Sequence, residues 1–268
     1  MISFLRRKLF PSRINLDIGL ATHTGKVRKL NEDSIICIDL SKADSSVRAC
    51  AVADGLGGYE GGEIASKSAL EAFSKSLTES INTLNNDGKK PIRDNDFIMR
   101  MLIEAVQAAN TEVHAQAQAK NNRMGTTIAA ALILDTQVYI VNVGDSRVYS
   151  LDGDNLRQIT ADHSLVAELV AAGTITLDEI YTHPRRNMIT RCLGSQSNVE
   201  ADTFLEDLKL GNAFLICSDG LWEMVRDNQI KDILLQSSNA QVACDRLVEA
   251  ANENGGVDNI SVIIIKAK

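Results

Sequence analysis

Acidic residues in this chain fall where runs of apolar residues end. Glu32-Asp33 precedes one run, Asp54 closes another, Asp145 stands between two, Asp219 follows a fourth, and Asp258 precedes the last. Strand ends meet at the edge of a sheet, so side chains distant in the chain can converge there. Gathered aspartates repel one another unless a cation neutralises them. Hard oxygen ligands with no His or thiolate beside them select Mg2+ or Mn2+ over Zn2+ or Cu2+. Taken singly, each Asp is also ordinary turn chemistry beside Gly or Asn, and spacing alone leaves both readings open.

The stretch AVADGLGGYEGG (51–62) sharpens the question. Gly55, Gly57, Gly58, Gly61 and Gly62 are five of the chain's 17 glycines. Such a cluster marks either a turn or a close approach of backbone to a ligand. Other chemistries lack their residues. Gly25-Lys26 has neither the upstream glycine nor the following hydroxyl of a phosphate loop, and Glu60 stands where a dinucleotide fingerprint needs its third glycine. There is no Gly-x-Ser-x-Gly elbow. His23, His114, His163 and His183 show no metalloprotease spacing, and His163 reads as a helix-start residue.

Composition bounds the class. The 268 residues suit one large domain, with 44% hydrophobic residues and only 4% aromatics, so the core is built from Ala, Val, Ile and Leu. A net charge of −7 argues against nucleic acid as a partner. The five cysteines (37, 50, 192, 217 and 244) are scattered without Cys-x-x-Cys spacing, which reads as reduced thiols in a cytoplasmic protein, with Cys217 a small buried hydrophobe. No apolar run approaches a membrane span. The start, MISFLRRKLFPSR, lacks a secretory h-region and reads as a flexible arm or a weak docking segment.

Hydrophobic periodicity predicts strands at 14–20, 34–40 and 47–53, then a helix over 62–80 and a polar loop over 82–95. A second helix is predicted over 96–120, with Phe97, Met101, Ile103, Ala105, Val106 and Ala109 on one side. A four-strand meander over 126–159 follows, with a helix over 162–172. The stretch 173–191 has little core pattern. A strand at 213–217, helices near 227–236 and 239–253, and a strand at 260–265 complete the chain. Strands grouped around two blocks of helices indicate α+β, antiparallel sheets covered by helices, in one domain over 14–268 after an N-terminal arm.

In order, GKVRKLNEDS (25–34), VADGLGGYEGGEIAS (52–66), GTTIAAALI (125–133), VNVGDSRVY (141–149), QITADHS (158–164), CLGS (192–195), FLICSDGLWE (214–223) and GGVDNISVIII (255–265) resemble the metal-dependent protein phosphatase family, protein phosphatase 2C, in its compact bacterial form. The resemblance implies a four-layer α–β–β–α sandwich and Mn2+- or Mg2+-dependent hydrolysis of phosphoserine and phosphothreonine in proteins. By the same likeness Asp54 bridges two metals, and the Gly55 carbonyl joins it at the second. Asp219 and Asp258 hold the first metal, Asp33 serves the second directly or through water, and Glu32 lies in the outer shell. Asp145 with Asp219 holds a third, weaker metal, and Arg28 grips the substrate phosphate, where outside the motif a surface salt bridge would be its reading. Two such ions lower the pKa of a bridging water for in-line attack on phosphorus, with no protein nucleophile.

Many bacterial relatives carry His where this chain has Tyr59. If that His protonates the leaving oxygen, tyrosine, metal-bound water or nothing takes its place; a rim aromatic is the plainer reading. Residues 173–191 fall at the family's flap, where Arg185 and Arg186 either receive an acidic or phosphorylated peptide or simply face solvent. The expected partners are phosphoproteins and a cognate Ser/Thr kinase, and the expected state is a monomer. The rivals are a pseudophosphatase retained as a phosphopeptide-binding module and a metal-dependent nuclease. A complete metal set disfavours the first and the acidic surface the second.

Overall fold

The computed structural model describes residues 14–41, 47–57, 61–86 and 94–268. The N-terminal arm and Tyr59 lie outside the described residues. Two antiparallel five-stranded sheets form the centre. The first runs β1 (Leu16–His23), β12 (Ile260–Ala267), β11 (Ala213–Cys217), β8 (Arg147–Asp152), β9 (Asn155–Gln158). The second runs β10 (Asp202–Asp207), β7 (Gln137–Val143), β6 (Ile128–Leu134), β3 (Val47–Ala53), β2 (Ser34–Asp39). A short ribbon pairs β4 (Gly55–Leu56) with β5 (Gly125–Thr126).

Strand alternation explains the layering. In β3, Cys50 and Val52 face the other sheet, packing with Ile140, Ile216 and Ile263, whereas Val47, Ala49, Ala51 and Ala53 face helices. Those helices are α1 (Gly61–Asn86) and α2 (Asn95–Lys120), which present Leu70, Phe73 and Leu77 with Leu102, Val106 and Val113. On the opposite side β11 and β12 turn Leu215, Val262 and Ile264 toward α5 (Asp227–Gln236) and α6 (Ala240–Glu253). Strands apolar on both faces are what a four-layer sandwich requires, and each fully buried Leu, Ile or Phe contributes about 1.5–3 kcal/mol. Short helices α3 (Leu165–Ala171) and α4 (Asp219–Trp222) complete the set.

Several expectations are corrected. The helix predicted to end at residue 80 continues to Asn86, because the apolar stripe continues: Ile81 is buried between α1 and the core. On α2 the inward face is Ile98, Met101, Leu102, Ala105, Val106 and Ala109; Ile103 is exposed and Phe97 half-buried, a rotation of the predicted stripe. The meander over 126–159 is two hairpins in different sheets, for β7 does not pair with β8. Gly144 makes the crossing at φ +108°, a conformation that side chains resist. β10 escaped detection because it is an edge strand whose DTFLED sequence is only half-buried. The stretch 173–191 is tied to the core after all. Ile180 is buried in a 3-10 turn (Asp178–Thr182), Tyr181 meets the Trp222 ring edge-on at 6.3 Å, and Arg226 lies over Tyr181 at 3.2 Å.

Candidate metal centre

Strand register brings the acidic residues together. Ser34 pairs with Ala53, so Asp33 and Asp54 leave their strands at the same end. Ile128 pairs with Val143, which puts the Gly144-Asp145 turn there too. In the other sheet Cys217 pairs with both Val262 and Arg147, so Asp219, Asp258 and Asp145 share that sheet's corresponding end. The Asp54 carboxyl is held far above its usual range by burial and then by the charges of Asp33, Asp219, Asp145 and Asp258. Asp219 is raised likewise, by burial first and then by Asp145, Asp258, Glu223 and Asp33. Burial pushes Asp33 up to about 6, against hydrogen bonds from serine hydroxyls, and Asp145 up to about 7. Glu32 is also raised, chiefly by burial.

Polar neighbours fix these groups from behind. The Asp54 N–H donates to Thr127 Oγ1 at 2.9 Å, and its carbonyl accepts from Thr126 Oγ1 at 2.8 Å and the Thr127 N–H at 2.9 Å. Thr127 Oγ1 continues to Ser146 Oγ at 2.7 Å, joining the strand ends around Asp54 and Asp145. Ser218 Oγ donates to Asp33 Oδ2 at 2.8 Å. Asn259 ties the 24–32 loop to β12: its amide donates to the Thr24 and Leu30 carbonyls, both at 2.9 Å, and its oxygen accepts from the Glu32 N–H at 2.8 Å. His163 Nδ1 accepts from the Gly144 N–H at 3.0 Å, leaving Nε2 to face Asp202 at 3.3 Å.

Beneath Asp145 lies a buried cation. Arg147 donates to Asp162 from Nε and Nη2 (2.9 and 2.6 Å) and from Nη1 to the Tyr149 hydroxyl, and stacks 3.6 Å over Trp222. Trp222 Nε1 in turn donates to the Asp145 carbonyl at 3.0 Å. The sandwich thus seats the acidic turn on a fixed support.

Whether the residues suit a divalent cation can be tested on their free oxygens. Asp33 Oδ1, Asp145 Oδ1, Asp219 Oδ1 and Glu32 Oε1 are buried with no hydrogen-bond partner. Buried oxygens left bare are costly, and carboxylates especially so, unless a cation or water meets them. Among the described residues no three His, Cys, Asp or Glu side chains close on one point as a ready cage. Mg2+ and Mn2+ keep several waters and use few carboxylates, so they do not require such a cage. The residues fit such ions.

Arg28 Nη2 sits 2.6 Å from Asp258 Oδ2, with its side chain 47% exposed, so the guanidinium stands at the mouth of the cluster. Gly55 serves close packing. A methyl group on Gly55 would collide with the carbonyl oxygens of Gly62 and Glu32, which brings the start of α1 against the acidic loop. Arg185 is exposed, and Arg186 pairs with Glu223 at 3.4 Å instead of lying free. Glu223 was missed in the sequence. It follows Asp219 by one helical turn, a spacing that puts both on one face, and its carboxyl is raised by burial. Ser218, Asn259 and Thr127 were also missed as supports; their signal is a polar residue abutting an apolar strand run.

Fold and site together define an α–β–β–α sandwich with a carboxylate cluster where its two sheets end. A family model described as protein phosphatase 2C matches residues 23–255. The chain belongs to the protein phosphatase 2C family. It is 36% identical over 247 residues to the serine/threonine phosphatase stp of Listeria innocua, covering 91% of this chain and 93% of that relative. Its structure resembles that of the Streptococcus agalactiae serine/threonine phosphatase at a TM-score of 0.83 and 30% identity, covering 95% of this chain and all (100%) of that one. It also resembles the catalytic domain of the phosphatase PstP in complex with two manganese ions, at a TM-score of 0.78 and 32% identity over 95% of this chain and 99% of that one. These similarities lend no support to a pseudophosphatase. No helix among the described residues is long and apolar enough to cross a membrane.

Proposed function

We propose that this protein hydrolyses phosphoserine and phosphothreonine in proteins with Mn2+ or Mg2+, reversing a cellular Ser/Thr kinase. The observation that carries the reading is the set of bare buried carboxylate oxygens at the shared strand ends. Asp54, Asp219, Asp258, Asp33 and the Gly55 carbonyl are the groups that would hold the cations, with Asp54 shared between them. Glu32 would act from behind, and Asp145 with Asp219 would hold a third, weaker ion. Bound there, divalent ions supply a water of lowered pKa and neutralise phosphoryl charge. The chain's own residues do the rest. Arg28 offers a planar fork for two phosphate oxygens and offsets the acidic field that would repel the substrate. Thr127 and Asn259 hold the backbones of Asp54 and Glu32, and Ser218 holds the Asp33 carboxyl itself, against shifts as charge is added.

Residues 14–268 act as one catalytic unit in this reading, as a cytoplasmic monomer, with 173–191 as a flap beside the site. Arg186, joined to Glu223 beside Asp219, is the flap residue placed to sense an incoming phosphopeptide. The test is hydrolysis of p-nitrophenyl phosphate and a phosphothreonine peptide with Mn2+, then with excess chelator. Turnover is expected with the metal alone; turnover that survives chelation would sink the metal assignment, and none under any metal would favour a binding module.

A further inference from the structure

We propose that Cys37 and Cys50 are a peroxide-oxidisable pair, Cys37 attacking and Cys50 resolving, which closes a reversible disulfide across β2 and β3. The two residues are separated by 13 positions in sequence but are direct partners in the antiparallel register. Opposed residues in such a pair have Cα atoms about 4.5 or 5.5 Å apart, and either separation lies within the range a disulfide spans. Their side chains already meet: the Cys50 S–H donates to Cys37 Sγ at 2.8 Å.

The pair is also asymmetric in access. Cys50 is fully buried between the sheets, whereas Cys37 is half-buried on β2, the edge strand of its sheet. The hydrogen bond from Cys50 holds the Cys37 thiol below its usual value, with Arg48 adding to it against the opposing effect of burial. An accessible, acidified thiol with a second cysteine in contact is the arrangement that favours disulfide over further oxidation. The other thiols lack it. Cys217 and Cys244 are buried and raised by burial, and Cys192 is raised by burial and has no cysteine partner among the described residues.

The chemistry balances. The Cys37 thiolate attacks one peroxide oxygen; the S–O bond forms, the O–O bond breaks, and the departing hydroxide takes up a proton as water. Cys50 sulfur then attacks Cys37 sulfur, the S–S bond forms, and the sulfenic hydroxyl leaves as water with the Cys50 proton. Two thiols are oxidised by one electron each and one peroxide is reduced by two. The bond would lie four residues from both Asp33 and Asp54, about 13 Å along extended strands. It therefore staples the strands that deliver these two carboxylates without touching them.

The test treats the full chain with hydrogen peroxide, blocks remaining thiols by alkylation, and maps the peptides without reduction. A linked 37–50 peptide, lost on adding a thiol reductant, is expected in the wild type. Cys50→Ser should instead leave a Cys37 sulfenic acid that dimedone traps, and Cys37→Ser should yield neither product while keeping basal turnover. The proposal is overturned if both residues stay free thiols while Cys192 is oxidised. It is equally overturned if wild-type Cys37 passes to sulfinic acid with Cys50 still reduced.

Discussion

Arg28 and Asp258 form an ion pair at 2.6 Å, which couples the group proposed to hold substrate phosphate to a carboxylate proposed to hold metal. Asp219 and Glu32 also act on Arg28. One guanidinium therefore balances part of the acidic field until cations take over. Replacing Arg28 by Ala should lower kcat/KM for a phosphothreonine peptide by roughly 10- to 100-fold, the value of a charge-assisted hydrogen bond to phosphate. Mn2+ should bind at least as tightly in that variant, because Asp258 loses a competing cation. Steady-state kinetics paired with calorimetric Mn2+ titration separates the two effects, and weaker Mn2+ binding would contradict the proposed coupling.

Asp54→Asn should abolish nearly all turnover while the metal-free protein unfolds at a temperature no lower than the wild type. Asp54 lies among Asp33, Asp219, Asp145 and Asp258, so removing its charge relieves repulsion even as it removes the proposed bridge. Activity assays and differential scanning calorimetry in chelator check both halves.

Asp145→Ala should weaken Mn2+ dependence of turnover while the principal ions still bind. Asp145 stands on the Gly144 turn between the sheets, at the strand end it shares with Asp33 and Asp54 but outside the set proposed for the principal ions. An unchanged Mn2+ titration would argue against a third ion.

Protons and metal should compete. Asp33 at about 6 and Asp145 at about 7 are raised above an unfolded carboxylate near 3.8. In the metal-free protein the folded state then binds more protons than the unfolded one, so these groups' contribution to stability is complete below about pH 4 and is lost as pH rises through 6 to 7. Mn2+ supplies the missing charge only once the protons leave. The rise in melting temperature on adding Mn2+ should therefore grow between about pH 5 and about pH 7.5, as thermal scans at fixed metal would show.

Arg147→Ala should destabilise the fold by about 3–5 kcal/mol, the cost of stranding a buried partner charge. Asp162 would be left without its two-pronged donor and the Trp222 ring without the cation above it. Urea unfolding measures this, and a loss below about 1 kcal/mol would place the pair in the class of weak surface bridges.

Much of this protein is legible in local sequence. Short apolar runs at 47–53 and 260–265, the glycine-rich stretch, and aspartates abutting apolar runs are short-range signals that can be read directly. The α+β class and the list of acidic residues followed from them. Sequence could not place Glu223 in the cluster, put β7 and β8 in different sheets, rotate Ile103 outward, or join Arg186 to Glu223. Each depends on packing between elements far apart in the chain. The same holds for Cys37 and Cys50, which read as two scattered thiols until strand register sets them face to face. Composition and local pattern determined which groups this chain owns. Only long-range register and burial decided which of them meet, because a buried charge or thiol takes its chemistry from neighbours that the fold alone supplies.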